Sequence, residues 1–180
     1  MAQIWGFAGY SGSGKTTAIE CLENVYRCRR IYLGDYVLRE VERQGLSQTP
    51  ENERLVRQKV RETEGIDAFI HRASATILRT IDDGCDALID AIYAEAEWIA
   101  VLQIADAVPA NLVFIECQFE TRAERLTLRE NRSSSKQDLR NRDDLEREKL
   151  KFETLRGLST AKTRNEGTLD QFKMSMSVQS

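Results

Sequence analysis

A chain of 180 residues with 41% hydrophobic side chains is long enough to bury one substantial core and suits a single domain. Its 29 acidic and 26 basic residues leave a net charge of −3, which argues against a general nucleic-acid binder or a membrane-surface protein. No apolar run nears bilayer-spanning length, the N-terminus lacks a signal-peptide pattern, and Cys21, Cys28, Cys85 and Cys117 show neither a C-x-x-C pair nor metal spacing, so a reducing, cytoplasmic setting is expected.

Taken in chain order, Gln3 to Ala8 is a short apolar run that reads as a buried strand. It leads into Gly9-Tyr10-Ser11-Gly12-Ser13-Gly14-Lys15-Thr16, which fits the phosphate-binding pattern G-x-x-x-x-G-K-[ST] without a mismatch. Lys15 to Val25 then carries apolar residues at helical spacing. Glycines allow positive φ and close backbone approach, and successive N–H groups at a helix N-terminus favour an anion. Gly9, Ser11, Gly12, Ser13, Gly14, Lys15, Thr16 and Thr17 are therefore the candidate nucleotide-binding residues. Lys15 would reach the β- and γ-phosphates of ATP or GTP, and Thr16 would hold Mg²⁺ through its hydroxyl.

A second strand is expected over Arg30 to Leu33 and a helix over Tyr36 to Gln44. Asp35 lies between them, with Arg39 one helical turn later. An Asp there can take a proton from an acceptor hydroxyl or orient it, and Arg39 can bind acceptor phosphate; alternatively Asp35 caps the helix. Thr49-Pro50 starts a helix with Thr49 as N-cap, running to about Glu64 and ended by Gly65. Ile66 to Asp82 continues as another helix. Cys85 to Asp90 reads as the third strand and closes on a carboxylate, where a phosphate-loop protein fixes Mg²⁺.

Ala94 to about Ala105 is helical in pattern, and Asn111 to Cys117 is the fourth strand. Over Glu120 to Glu130, Arg122, Arg125 and Arg129 share a helix face, with Arg132 just beyond. Arginine suits a transferring phosphoryl group, which makes Arg122 and Arg129 candidate catalytic residues; the alternative is a solvated face paired with Glu120, Glu124 and Glu130. Asn131 to Gln137 is polar and turn-rich, a candidate lid. The charged helix Asp138 to about Leu155 reads as lid support or as the surface of a homodimer. Ser159 to Asn165 is a weak fifth strand, and Met174 to Ser180 is expected to be a frayed tail. His71, Trp5 and Trp98 are given no role.

Strands alternating with helices indicate an α/β fold of three layers, a mainly parallel five-stranded sheet with helices on both faces. Ligands bind beyond the carboxyl ends of such strands, where the phosphate loop, Asp35 and Asp90 all fall.

Further segments carry a resemblance. Gly34-Asp35-Tyr36-Val37-Leu38-Arg39, Thr49-Pro50-Glu51-Asn52, Val60-Arg61-Glu62-Thr63-Glu64-Gly65, Glu120-Thr121-Arg122-Ala123-Glu124-Arg125, Arg142-Asp143-Asp144-Leu145-Glu146 and Asn165-Glu166-Gly167-Thr168-Leu169 follow the phosphate loop in order. With it they resemble the small P-loop nucleotide kinases related to adenylate and cytidylate kinases, most closely the archaeal-type dephospho-CoA kinase-like group. The resemblance implies one P-loop kinase domain over residues 1–173 with its lid at 131–137. It implies γ-phosphoryl transfer from ATP or GTP to a nucleotide, nucleoside or dephospho-CoA-like small molecule, with Asp35 aligning the acceptor, Arg39 and Arg61 holding its phosphate, and Asn165 near the nucleotide base. Two departures stand out. The group's Asp-Gly-[Ile/Val]-Arg after strand three is here Asp90-Ala91-Ile92-Tyr93, and Ser159 to Arg164 is polar where the group has an apolar strand. The tyrosine favours an alternative reading as a nucleotide-binding switch or ATPase without a small-molecule acceptor; a third is an interaction protein with a vestigial loop.

Overall fold

The computed structural model describes residues 1–24, 26–128 and 135–177. Among these, five strands form one parallel sheet: β1 (Ile4–Ala8), β2 (Cys28–Tyr32), β3 (Asp86–Asp90), β4 (Ala110–Glu116) and β5 (Ala161–Arg164), in the order β2-β3-β1-β4-β5. The helices are α1 (Lys15–Glu23), α2 (Leu33–Arg43), α3 (Pro50–Glu64), α4 (Ala68–Asp82), α5 (Glu95–Ala105), α6 (Phe119–Thr127), α7 (Lys136–Leu150), α8 (Glu153–Leu158) and α9 (Leu169–Ser177). This is the three-layer α/β architecture expected from the alternation, and the P-loop NTPase fold that the resemblance implies.

Strand periodicity builds the two faces. Ile4, Ala8, Ala87, Ile89, Leu112 and Phe114 point to one side and pack with Ile70 and Ile77 of α4, Trp98 of α5, Phe152, and Leu155 of α8. Their immediate neighbours Phe7, Leu88, Val113 and Ile115 point to the other and pack with Ala18 and Ile19 of α1 and Phe172 of α9. Gly6 is required in β1 because a Cβ there would stand 2.8 Å from the Trp98 ring. A side layer of Val37, Val41, Val56, Val60 and Phe69 binds α2, α3 and α4 together.

α3 follows its sequence signals: the Thr49 hydroxyl accepts from the Asn52 amide at 3.3 Å, Pro50 occupies the first position, and Gly65 ends the helix. Elsewhere the structure corrects the expectations. Strand two spans Cys28–Tyr32, and α2 starts at Leu33, so Asp35 lies inside the first helical turn and is not its N-cap. The single helix expected over Asp138 to Leu155 is two, broken where Lys151 adopts the left-handed conformation at φ 48°. α9 runs through Ser177, so the expected tail begins inside a helix. Of the expected lid, residues 131–134 lie outside the described residues; Ser135 caps α7, and Lys136 and Gln137 form its first turn.

Candidate active site

β1 ends between β3 and β4, and the chain leaves the sheet through Gly9–Gly14 with Gly9, Gly12 and Gly14 at positive φ. At Gly14 (φ 102°) a Cβ would stand 2.3 Å from Asn165 Nδ2, so both conformation and space demand glycine. Gly14 is the N-cap of α1 and has no side chain to cap it, no acid occupies the first turn, and among the described residues no side chain bonds the helix's free amides. Those donors are open to an anion. Ser13 Oγ in the same loop is buried with no hydrogen-bond partner among the described residues, the kind of orphan a bound phosphate oxygen would satisfy.

Lys15 is 8% exposed, and its Nζ turns back to donate to the carbonyls of Gly9 at 2.6 Å and Tyr10 at 3.2 Å. Burial pulls its pKa down to about 8, against the nearby negative charge of Glu146. Its ammonium lies 5.5 Å from the centre of the Tyr93 ring.

The arginines that follow strand four do different work from one another. Arg122 is buried; it donates from Nη1 to Asp143 Oδ1 at 3.1 Å, from Nη2 to Asp143 Oδ2 at 2.6 Å, and also to the Ser11 and Cys117 carbonyls. It ties α6, α7 and the phosphate loop together. Arg125 donates to the Asn165 carbonyl at 3.0 Å, to Asn165 Oδ1 at 3.2 Å and to the Gly167 carbonyl at 3.2 Å, closing the turn after β5. Asn165 Nδ2 then donates to the Ser13 carbonyl at 2.8 Å. Asn165 thus braces the loop directly, beside a cavity of about 190 Å³ lined by Arg164, Asn165, Glu166, Gly167, Gln171 and Phe172. Arg129 and Arg132 lie outside the described residues.

Of the residues expected to meet an acceptor, Asp35 and Arg39 lie exposed on α2, with the Arg39 guanidinium 5.3 Å from the Tyr36 ring. Arg61 of α3 donates to Glu97 Oε1 at 2.7 Å. Glu97 Oε2 accepts from the amides of Tyr93 at 2.7 Å and Ala94 at 3.2 Å, so one buried carboxylate fixes both the start of α5 and Arg61.

For a divalent ion, the half-buried Thr16 stands at the second position of α1, and Asp90 closes β3 with Phe7 of β1 as its register partner. These are hard oxygen donors of the type Mg²⁺ selects. Asp90 Oδ2 accepts from Arg30 Nε at 3.0 Å and Nη2 at 2.5 Å. Among the described residues no three His, Cys, Asp or Glu side chains gather, which fits an ion held mainly by phosphate and water.

Two residues of the site went unassigned in the sequence. Asp143 and Glu146 are buried on α7 with Leu139, and the spacing 139–143–146 is that of one helix face. Two carboxylates at core spacing were the signal. The Glu146 Oε1 accepts from Arg142 Nε at 2.9 Å; its Oε2 is buried without a hydrogen-bond partner among the described residues.

A family profile described as an AAA domain matches residues 8–146. A UPF0200/UPF0201 protein of Archaeoglobus fulgidus is 33% identical over 143 residues, 78% of this chain; the chain spans 44% of that relative's length. The crystal structure of TT1252 from Thermus thermophilus shares the fold with a TM-score of 0.66 at 18% identity, over 98% of this chain and 95% of that one. Shikimate kinase from Bacteroides thetaiotaomicron does so with a TM-score of 0.59 at 16% identity, over 99% and 94%. Among the described residues no helix is long and apolar enough to cross a membrane. Because the family profile covers more than half of the sequence, the chain belongs to the AAA domain family.

Proposed function

We propose that this protein is an NTP-dependent kinase that moves the γ-phosphoryl group of ATP or GTP to a small nucleotide, nucleoside or dephospho-CoA-like acceptor. The observation that carries this reading is the buried Lys15 ammonium at the mouth of an uncapped helix N-terminus, beside the partnerless Ser13 hydroxyl. The kinase-like fold supports it.

In this reading the amides of Gly12 to Thr17 and Lys15 grip the β- and γ-phosphates, with Lys15 releasing the Gly9 and Tyr10 carbonyls to do so. Thr16 and Asp90 would hold Mg²⁺, which when bound supplies charge neutralisation on the phosphates. An acceptor oxygen forms the new bond to the γ-phosphorus while the bond to the β–γ bridging oxygen breaks and the nucleoside diphosphate leaves. Asp35 orients the acceptor and takes its proton where the nucleophile is a hydroxyl. Lys15, with Arg122 near it and Arg129 from the same helix face, stabilises charge on the transferring group, the main source of rate in such reactions.

The test is transfer of radiolabelled γ-phosphate across a panel of nucleosides, nucleotides and dephospho-CoA. A labelled product lost in the Lys15→Ala variant is expected. Slow hydrolysis with no acceptor stimulation across the panel would instead favour the switch or ATPase reading that Tyr93 raises.

A further inference from the structure

Arg30 carries no role in the sequence, yet it is the side chain that bonds the carboxylate closing β3. In the sheet register Arg30 stands opposite Leu88, and Tyr32 opposite Asp90. The Arg30 side chain runs along its strand. Nε and Nη2 donate to Asp90 Oδ2 at 3.0 and 2.5 Å, and the guanidinium lies 5.2 Å from the centre of the Tyr32 ring. Cys28 and Leu88 pack in the layer of Ala18 and Ile19, so alternation puts Arg30 and Asp90, two positions further on, on that same α1 side. The Arg30 amide donates to Glu23 Oε1 at 3.1 Å, which ties the strand to the end of α1. Asp90 is buried and Arg30 half-buried. Among the described residues no other side chain bonds Asp90.

A brace between β2 and β3 works at any position along the two strands. This one uses the carboxylate beside the phosphate loop, because Asp90 is the register partner of Phe7 and β1 ends at Ala8, where the loop begins. A carboxylate bonded to a guanidinium presents less negative charge to a second cation, and the two cations repel each other. Loss of the guanidinium charge acts in opposite directions on the two forms of a nucleotide. The bare triphosphate then meets an uncompensated carboxylate, whereas the magnesium complex meets a stronger anchor. Building on the kinase reading, with Thr16 and Asp90 as the metal-holding pair, we infer that Arg30 is a positioning residue that shares Asp90 with Mg²⁺ and sets how far nucleotide binding depends on the metal. Arg30 lowers that dependence, so the phosphate loop accepts a triphosphate over a wider range of Mg²⁺ concentration.

The experiment is calorimetric binding of a non-hydrolysable ATP analogue to the full chain, once with saturating Mg²⁺ and once with the metal chelated by EDTA. The readout is the ratio of the two affinities. Arg30→Gln keeps a donor for Asp90 without the charge and is expected to raise the ratio about fivefold or more. Arg30→Lys keeps the charge and is expected to hold the ratio within about twofold of wild type. In an Asp90→Asn background, Arg30→Gln is expected to move the ratio by less than about twofold. A ratio that falls or stays put in Arg30→Gln, that rises as much in Arg30→Lys, or that rises equally without the Asp90 carboxylate overturns the inference and leaves Arg30 a brace of the sheet. Wild type gives a second reading that no misfolded variant can obscure. The NMR signal of the Arg30 Nε–H is expected to move when Mg²⁺ is added to the analogue-bound protein, and a signal indifferent to the metal overturns the inference as well. If wild type binds no ATP analogue with or without Mg²⁺, the kinase reading falls too; if the analogue binds and only the ratio or the signal fails, that reading stands.

Discussion

Arg122 and Asp143 meet in a two-point ion pair, Nη1 to Oδ1 at 3.1 Å and Nη2 to Oδ2 at 2.6 Å, with both side chains buried between α6 and α7. Because Arg122 also donates to the Ser11 carbonyl at 3.1 Å, the pair couples the segment beyond residue 134 to the phosphate loop. Removing one partner strands a buried charge, so Arg122→Ala or Asp143→Ala should each cost about 3–5 kcal/mol in urea unfolding. The double variant Arg122→Met/Asp143→Leu should recover most of that loss. If Arg122→Ala leaves stability unchanged and lowers only turnover, Arg122 is a phosphate ligand and not a brace.

Lys15 makes stability depend on pH in a definite direction. Its folded pKa of about 8 lies below the ordinary 10.5 because it is buried. Between those values the unfolded chain binds the extra proton, so the penalty is full below pH 8 and fades as pH rises toward 10.5. The stability difference between wild type and Lys15→Met should therefore shift by roughly 3 kcal/mol in favour of wild type across that window. Denaturation of both proteins at pH 7, 9 and 10.5 checks this; a difference that does not move with pH contradicts it.

The phosphate loop, α3 and the strand alternation were readable because each is a local signal: glycines at fixed offsets, a Thr-Pro cap with a terminal glycine, and apolar runs. The break between α7 and α8 was not, since neither glycine nor proline marks it; Lys151 is left-handed there, and Phe152 beside it packs on Tyr10 from far along the chain, ring centres 4.6 Å apart. α9 did carry a signal. Thr168-x-x-Gln171 forms a reciprocal cap, Gln171 amide to Thr168 Oγ1 at 3.3 Å and Thr168 amide to Gln171 Oε1 at 2.9 Å, a pattern that the expectation of a frayed tail overlooked. The surroundings of Tyr93 were out of reach, because α3, α5 and α7 meet there only through the fold.

Gly14→Ala tests the fit between the loop and Asn165. The new methyl would overlap Asn165 Nδ2 at 2.3 Å on a backbone at φ 102°. A loss of about 1–3 kcal/mol is expected from the backbone conformation alone, with the overlap adding to it. Gly14→Ala/Asn165→Ala should regain the overlap part only, measured as a partial rise in Tm. Full recovery would show that φ imposes no cost there.

Phe172 is 3% exposed and packs in the layer of Phe7, Ala18 and Ile19. Phe172→Ala should cost about 3–5 kcal/mol in chemical denaturation. A loss below 1 kcal/mol would mean that α9 does not anchor on α1.

Tyr10 donates to Glu153 at 2.6 Å, Asn165 donates to Ser13 at 2.8 Å, and Phe172 backs Ile19. The glycine-rich turn is thus moulded by residues more than 140 positions further along the chain. Contacts of such sequence separation form late in folding, so the turn takes its final shape only once those distant segments have docked on it.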